Sequence, residues 1–269
     1  MERSEARTTN VLLRPVEAAA QIRLLGEFEL CYRLPIVLPR SAQRLVAFLA
    51  LARRPVRHDR LAGALWSDVG QARADGNLRS ALWRLGRRRK GIVTRRADCL
   101  SIDPSVKVDA WDVEAIAERV LDAPAEAPVA VLDRLAATME LLADWDESWL
   151  TPERERLRQL RLHALERAGE AALRAHDFAR AINLGLAAVE TDPYRESPYR
   201  LLVEAHLEEG NIHEAAREYL AYRRLATEEL GITPSTRIEA LIGPVRSAVD
   251  AFSDAHQWRQ PQPRSTARR

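Results

Sequence analysis

Residues 77–96 read NLRSALWRLGRRRKGIVTRR. The spacing predicts one amphipathic helix followed directly by a basic hairpin. Leu78, Leu82 and Leu85 recur at helical intervals and can face a core. Asn77, Arg79, Ser80, Arg84, Arg87 and Arg88 then project elsewhere. No acidic residue lies between positions 77 and 96 to turn this into a solvated ion-pair face. A folded helix that keeps so much like charge together points to a polyanion as partner. The stretch reads as a DNA-recognition helix with a basic wing behind it.

The charge map agrees. The chain of 269 residues is nearly balanced, with 41 Lys+Arg against 39 Asp+Glu. Residues 1–111 nonetheless hold 21 basic and 11 acidic residues, and the remainder holds 20 basic and 28 acidic. The sharpest window, residues 40–96, sets 15 basic residues against only Asp59, Asp68 and Asp75. Such asymmetry between halves points to nucleic acid or a membrane surface. The absence of any long uncharged apolar stretch argues against a spanning helix, and the N-terminus lacks the apolar core of a signal peptide. A cytoplasmic, nucleoid-associated protein with no membrane partner is expected. Lysine occurs only at Lys90 and Lys107. The charge is therefore mostly guanidinium, whose fork matches phosphates and guanine edges. Two cysteines, Cys31 and Cys99, make no disulfide framework and read as packed thiols in a reducing compartment.

Around the opening stretch the first half reads as strands, helix, helix, loop, helix, hairpin. Residues 22–30 and 32–38 carry β-type patterning. Ser41 stands as N-cap for a helix over 42–52 with Leu45, Phe48 and Leu49 inward. Asp59 stands as cap for 60–66, with Leu61, Leu65 and Trp66 inward. A polar loop over 67–75 leads to the basic helix, and residues 92–95 and 100–102 form a hairpin around Ala97, Asp98 and Cys99. This order is a winged helix-turn-helix of α+β type with an N-terminal sheet, whose last helix enters the major groove. Asn77, Arg79 and Ser80, placed near the N-terminal end of that helix, would meet base edges. Arg84, Arg87, Arg88 and Lys90 would meet phosphates, which position rather than specify. Arg95 and Arg96 would reach the backbone or minor groove from the wing. Trp83 is open between core packing and a phosphate contact.

The second half is all-helical and contains a repeat. Glu170, Leu173, Asp177, Phe178, Ala181 and Leu186 match Glu204, Leu207, Asn211, Ile212, Ala215 and Leu220, each pair 34 positions apart. That is the period of tetratricopeptide helix pairs. Gly169, Ala181, Ala188 and Pro193 fit the motif's small-residue and proline spacings, while Val203 and Thr227 replace its glycine and proline in the second copy. Before the repeats, helices are expected over 112–121 and 129–142, then a turn over 145–150. A long helix follows, with Thr151 as N-cap and Pro152 at its first position. A last helix is expected over 235–252. The domain plan is a disordered 1–20, a winged helix over 21–111, tetratricopeptide-like helices over 112–255, and a disordered basic tail over 256–269.

Several segments together resemble one family. These are LVAFLALARRPVRHDRLAGALW (45–66), NLRSALWRLGRRRKG (77–91), VDAWDVE (108–114) and WDESWLTPERERLRQLRLHALERAGE (145–170), with TDPYRESPYRLLVEAHLEEGNIHEAAREYLAYRRLATEELGITPS (191–235). Their order is similar to that of the Streptomyces antibiotic regulatory protein (SARP) family, over residues 22–252. The most specific parts are the Leu-Arg-x-Ala-Leu-x-Arg-Leu helix and the Trp-x-x-x-Trp-Leu turn. The resemblance implies an OmpR-like winged helix joined to a bacterial transcriptional activation domain. It also implies binding to direct repeats in double-stranded promoter DNA, and recruitment of RNA polymerase holoenzyme to secondary-metabolite genes such as antibiotic clusters. The family's helix residues correspond to Asn77, Arg79, Ser80, Arg84 and Arg87. In the wing, relatives tend to have Gly-Tyr where this chain has Asp98 and Cys99.

No enzymatic reading competes. The six histidines form no i, i+4 pair, and no His-Glu-x-x-His, P-loop, Gly-x-Ser-x-Gly or dinucleotide fingerprint occurs. Asp144, Asp146 and Glu147 sit beside Trp145 and Trp149 and read as caps and solvation. No catalytic residue, metal site or cofactor is expected. The expected function is a sequence-specific transcriptional activator. Its acidic half has three roles open to it: packing on the winged helix, forming a homodimer on DNA, or touching polymerase. The loop residues Ser67, Asp68, Val69, Gln71 and Arg73 are expected to contact polymerase. The alternative is a helical-repeat adaptor whose basic face binds DNA only weakly and without specificity.

Overall fold

The computed structural model describes residues 20–86, 91–247 and 249–250. The readings for residues 1–19, for Arg87, Arg88 and Lys90, and for the tail from 251 onward lie outside the described residues. Among the described residues the chain is mainly helical, with its strands all before residue 109. It divides into two compact units: one holds Phe28–Asp109 and the residues before Leu25, the other Leu25–Glu27 and the chain from Ala110.

In the first unit, β1 (Gln21–Arg23), β2 (Glu29–Tyr32) and β3 (Leu34–Pro35) run antiparallel. β1 also pairs in parallel with β7 (Lys107–Val108). Ile22, Leu24 and Leu30 are buried while Gln21, Arg23 and Glu29 face out, the alternation of a half-buried sheet. Three helices follow. α1 (Arg40–Ala52) buries Leu45, Val46 and Leu49, α2 (His58–Leu65) buries Leu61 and Leu65, and α3 (Gln71–Leu85) buries Ala74, Leu78, Ala81 and Leu85. A second sheet, ordered β4 (Val56–Arg57), β6 (Cys99–Ile102), β5 (Val93–Arg96), completes the unit. Neither β4 nor β7 is visible in the sequence. Each is two residues long, too short to show alternation, and exists through its pairing with a distant strand.

Local capping differs from the expectation. Pro39 occupies the N-cap of α1, with Ser41 inside the helix. The fixed proline φ of −62° sets the extended entry there, and no side chain is used. Asp59 lies within the first turn of α2, behind Arg57 at the N-cap. Its carboxylate accepts the Arg60 backbone N–H at 2.8 Å and binds the Arg57 guanidinium.

The second unit comprises α4 (Asp109–Asp122), α5 (Val129–Ala136), α6 (Thr151–Arg174), α7 (Phe178–Thr191), α8 (Glu196–Glu209), α9 (Ile212–Arg224) and α10 (Thr236–Ile242). α7 and α9 start 34 residues apart, as the repeat requires. The small residues do what the repeat asks of them. A Cβ at Gly169 would lie 2.4 Å from Leu201 Cδ2, and one at Gly185 would lie 2.8 Å from Leu202 Cδ2. The backbones of α6 and α7 therefore approach leucines of α8 too closely for any side chain. Asp177 caps α7 by accepting the Arg180 N–H at 3.2 Å, whereas its counterpart Asn211 makes no side-chain cap.

α5 stops at Ala136, six residues before the expected end at 142. The following loop is held instead by Arg154 of α6. Its guanidinium donates to the carbonyls of Leu141 at 2.8 Å, Ala143 at 3.3 Å and Trp145 at 2.9 Å, and also to Leu142. Trp145 is buried edge-on to Trp149, with ring centroids 6.5 Å apart, and Glu147 accepts the Trp149 indole N–H at 2.9 Å. The aromatic turn is thus a structural plug before α6. Leu150 holds the N-cap position there, so Thr151 is already helical, with Pro152 in the first turn.

A further core joins Tyr199 and Val203 of α8, Tyr219 and Tyr222 of α9, and Ile238 and Ile242 of α10. Tyr219 is fully buried, its hydroxyl donating to Glu239 while Arg223 lies 5.6 Å from its ring. The final helix is interrupted at Gly243–Val245, where Pro244 removes a backbone donor.

Candidate nucleic-acid interface

Helix α3 carries the site, and it begins six residues earlier than its leucine spacing alone predicts. Gly70 enters in an extended conformation, and Gln71 Nε2 donates to Asp75 Oδ1 at 3.0 Å across one turn. Ala74 extends the buried stripe of Ala74, Leu78, Ala81 and Leu85. Gly76, a helix-weakening residue by about 1 kcal/mol, is tolerated because this stripe packs on α1 and α2.

Two expectations are corrected by this start. The connection between α2 and α3 spans residues 66–70, so Gln71 and Arg73 belong to the first turn of α3, while Ser67, Asp68 and Val69 remain in the turn. Asn77 sits mid-helix and is half-buried, so it does not occupy the helix's N-terminal end. Arg79 and Ser80 lie in the second half.

The outward face of α3 is a single row. Gly76, Arg79, Ser80, Trp83 and Arg84 line one open shallow depression, at the i, i+3, i+4, i+7, i+8 intervals of one helix face. Trp83 is 80% exposed, which decides its role against core packing. Ser80 Oγ donates to the Gly76 carbonyl at 3.0 Å and keeps its lone pairs outward. Arg84 Nη1 approaches Ser41 Oγ of α1 at 3.4 Å, which steadies the guanidinium without neutralising it. The turn before α3 is anchored from behind, where Arg44 of α1 donates to the Leu65 carbonyl and lies 5.8 Å from the Trp66 ring.

The β5–β6 hairpin forms with a tighter turn than expected: Cys99 belongs to β6 and pairs with Arg96 across Ala97–Asp98. Ala97 takes a positive φ of 52° there. Arg95 and Arg96 are exposed at its tip, and Arg95 Nε donates to the Ala97 carbonyl at 3.1 Å.

Among the described residues Arg73, Arg79, Arg84, Arg95 and Arg96 make no ion pair, and no side chain caps α3. In the helical unit Arg134, Arg154, Arg156, Arg158, Arg180, Arg195, Arg217, Arg224 and Arg246 all have carboxylate partners. Beside α3, Arg57 hydrogen-bonds Asp59, which raises the arginine's proton affinity and holds the carboxyl below its ordinary range. That pair cancels itself, while exposed Arg54 and Arg60 add positive charge to that of α3 and the wing. Arg73, first grouped with the polymerase-facing loop, shares the helix with these cations. The signal for its placement was Ala74, one helical turn before Leu78.

Among the described residues no helix is long and apolar enough to cross a membrane. The model of the bacterial transcriptional activator domain family matches residues 108–246. No curated protein matches the chain. The structure is similar to that of Mycobacterium tuberculosis EmbR in complex with low affinity phosphopeptide, with a TM-score of 0.65 and 21% sequence identity over 88% of this chain and 70% of that one. That similarity is one of fold.

Proposed function

The chain belongs to the bacterial transcriptional activator domain family and is a transcriptional activator of the SARP type; on that premise we propose that α3 and the wing read promoter DNA. The observation that carries the proposal is the row of exposed, ion-pair-free arginines on one face of α3, continued by Arg95 and Arg96. Residues 21–111 are the DNA-binding part in this reading and residues 112–255 the activating part.

In the major groove, Arg79 would fork onto a guanine edge, with Ser80 beside it as a short donor and acceptor. Arg84 and the Trp83 indole N–H meet phosphates along the same face, and the sequence alone offers Arg87, Arg88 and Lys90 as further phosphate contacts. Arg73 and the uncapped first turn of α3 offer a guanidinium and backbone N–H groups to a phosphate at the other end. Asn77 contributes an amide near the centre. Arg95 and Arg96 hold the flanking backbone or minor groove from the wing.

Bound to direct repeats upstream of a promoter, two or more copies would present Ser67, Asp68 and Val69 to RNA polymerase. Genes of a secondary-metabolite cluster are the proposed targets. The test is footprinting of the purified chain on promoter fragments flanking its own gene, with excess nonspecific competitor. Two or more evenly spaced protected repeats, lost on Arg79→Ala, support the reading. Uniform binding that competitor removes sinks it and leaves an adaptor with incidental DNA affinity.

A further inference from the structure

Helices α8 and α9 bring together three side chains that the sequence keeps apart. One imidazole nitrogen of His206 and one carboxylate oxygen from each of Glu214 and Glu218 lie within 4.8 Å of one another. His206 is 8% exposed, and its Nδ1 is buried without a hydrogen-bond partner. Buried polar nitrogens are almost always satisfied, so an orphan on an imidazole that lies beside two carboxylates points to a ligand. Glu218 is itself largely buried, its side chain 13% exposed, while that of Glu214 is 41% exposed. The exposed Arg217 guanidinium bridges both carboxylates, lying 2.5 Å from Glu214 and 3.2 Å from Glu218.

We propose that His206, Glu214 and Glu218 form a binding site for a divalent cation of the Zn²⁺ class. Glu214 and Glu218 are one helical turn apart and share a face of α9, and His206 opposes them from α8. One imidazole nitrogen with two carboxylate oxygens is a donor set that Zn²⁺ accepts, leaving a fourth position for water. Tetrahedral bonds of about 2.0–2.2 Å place donor atoms roughly 3.3 Å apart. Side-chain rotation of the two glutamates supplies that approach. Arg217 now neutralises the carboxylates, so the cation must displace it. Once bound, the ion clamps α8 to α9, and the free energy of binding adds to that of the folded unit. The site lies on the helical unit and is independent of the DNA-reading surface.

The test is equilibrium dialysis of the full chain against Zn²⁺ with metal quantification, paired with thermal unfolding with and without Zn²⁺. One equivalent per chain and a raised midpoint are expected. Glu214→Gln and Glu218→Gln should each weaken binding by roughly tenfold or more, with metal-free midpoints near that of the parent. Arg217→Gln removes the competing cation and should tighten binding, a response that a purely structural cluster does not give. His206→Asn should abolish binding. Because His206 is buried and its variant can fail by misfolding, the glutamate and Arg217 variants decide the matter. Substoichiometric Zn²⁺, binding indifferent to both glutamate changes, or weaker binding in Arg217→Gln overturns the proposal.

Discussion

Arg79 and Arg84 sit on the same face of α3 and differ in what they can read. A guanidinium bidentate to guanine is worth about 1–3 kcal/mol of discrimination, whereas one on a phosphate adds affinity to every sequence alike. Arg79→Ala should therefore reduce binding to the cognate repeat by that amount and leave binding to scrambled DNA nearly unchanged. Arg84→Ala should weaken both in proportion. Gel-shift titrations on matched cognate and scrambled duplexes separate the two. In the helical unit the decisive residue is Gly169, where an added Cβ meets Leu201 Cδ2 at 2.4 Å. Gly169→Ala forces Leu201 off its rotamer and should destabilise the chain by about 1–3 kcal/mol, read as a lowered urea midpoint with an unchanged slope. The corresponding Val203 is fully buried in the core that α8 shares with α9 and α10.

Among elements, the turn between α2 and α3 tests the link from DNA to transcription. Ser67 and Asp68 are exposed and Val69 half-buried, with the Val69 N–H bound to the Trp66 carbonyl. Alanine at these three positions should lower transcription from the target promoter while leaving the footprint intact. A drop in transcription that merely tracks lost DNA binding would discard polymerase contact here. At the start of α6, the Glu155 carboxyl is pulled down to about 2 by hydrogen bonds from Arg158 and then Gln159. A carboxyl depressed in the folded state stabilises at pH above its ordinary value of 4.5, and that contribution fades as the pH falls toward about 2. Glu155 is exposed, so the effect is small and weakened by salt. Thermal melts over this window should show the parent losing its advantage over Glu155→Gln, with the two converging at the acid end.

For the whole molecule, near-zero net charge hides a field divided between halves, and binding should expose it. Affinity for DNA is expected to fall linearly with salt on logarithmic axes. Arg95→Ala together with Arg96→Ala should reduce that slope by up to about 2, near 0.9 per lost phosphate contact. An unchanged slope would remove the wing from the interface. The mainly helical fold, the exposed basic face of α3 and the hairpin were legible from sequence because each depends on local periodicity and on charge left without a nearby opposite. The 34-residue repeat was legible for the same reason, its spacing being set by one helix pair. Local pattern did not locate the true start of α3, because Gln71 and Arg73 are polar and only Ala74, packed beneath them, marks the helix. Nor did it show β4 and β7, which are strands only through distant partners, or the early stop of α5, imposed when Arg154 gathers the loop carbonyls. The cluster of His206, Glu214 and Glu218 lay deeper still, since His206 comes from α8 and the two glutamates from α9, with no motif joining them. Composition and periodicity dictated which elements form and which faces they bury. Where each element begins, and which side chains meet across two of them, was decided by packing, because those contacts join residues that no local spacing relates.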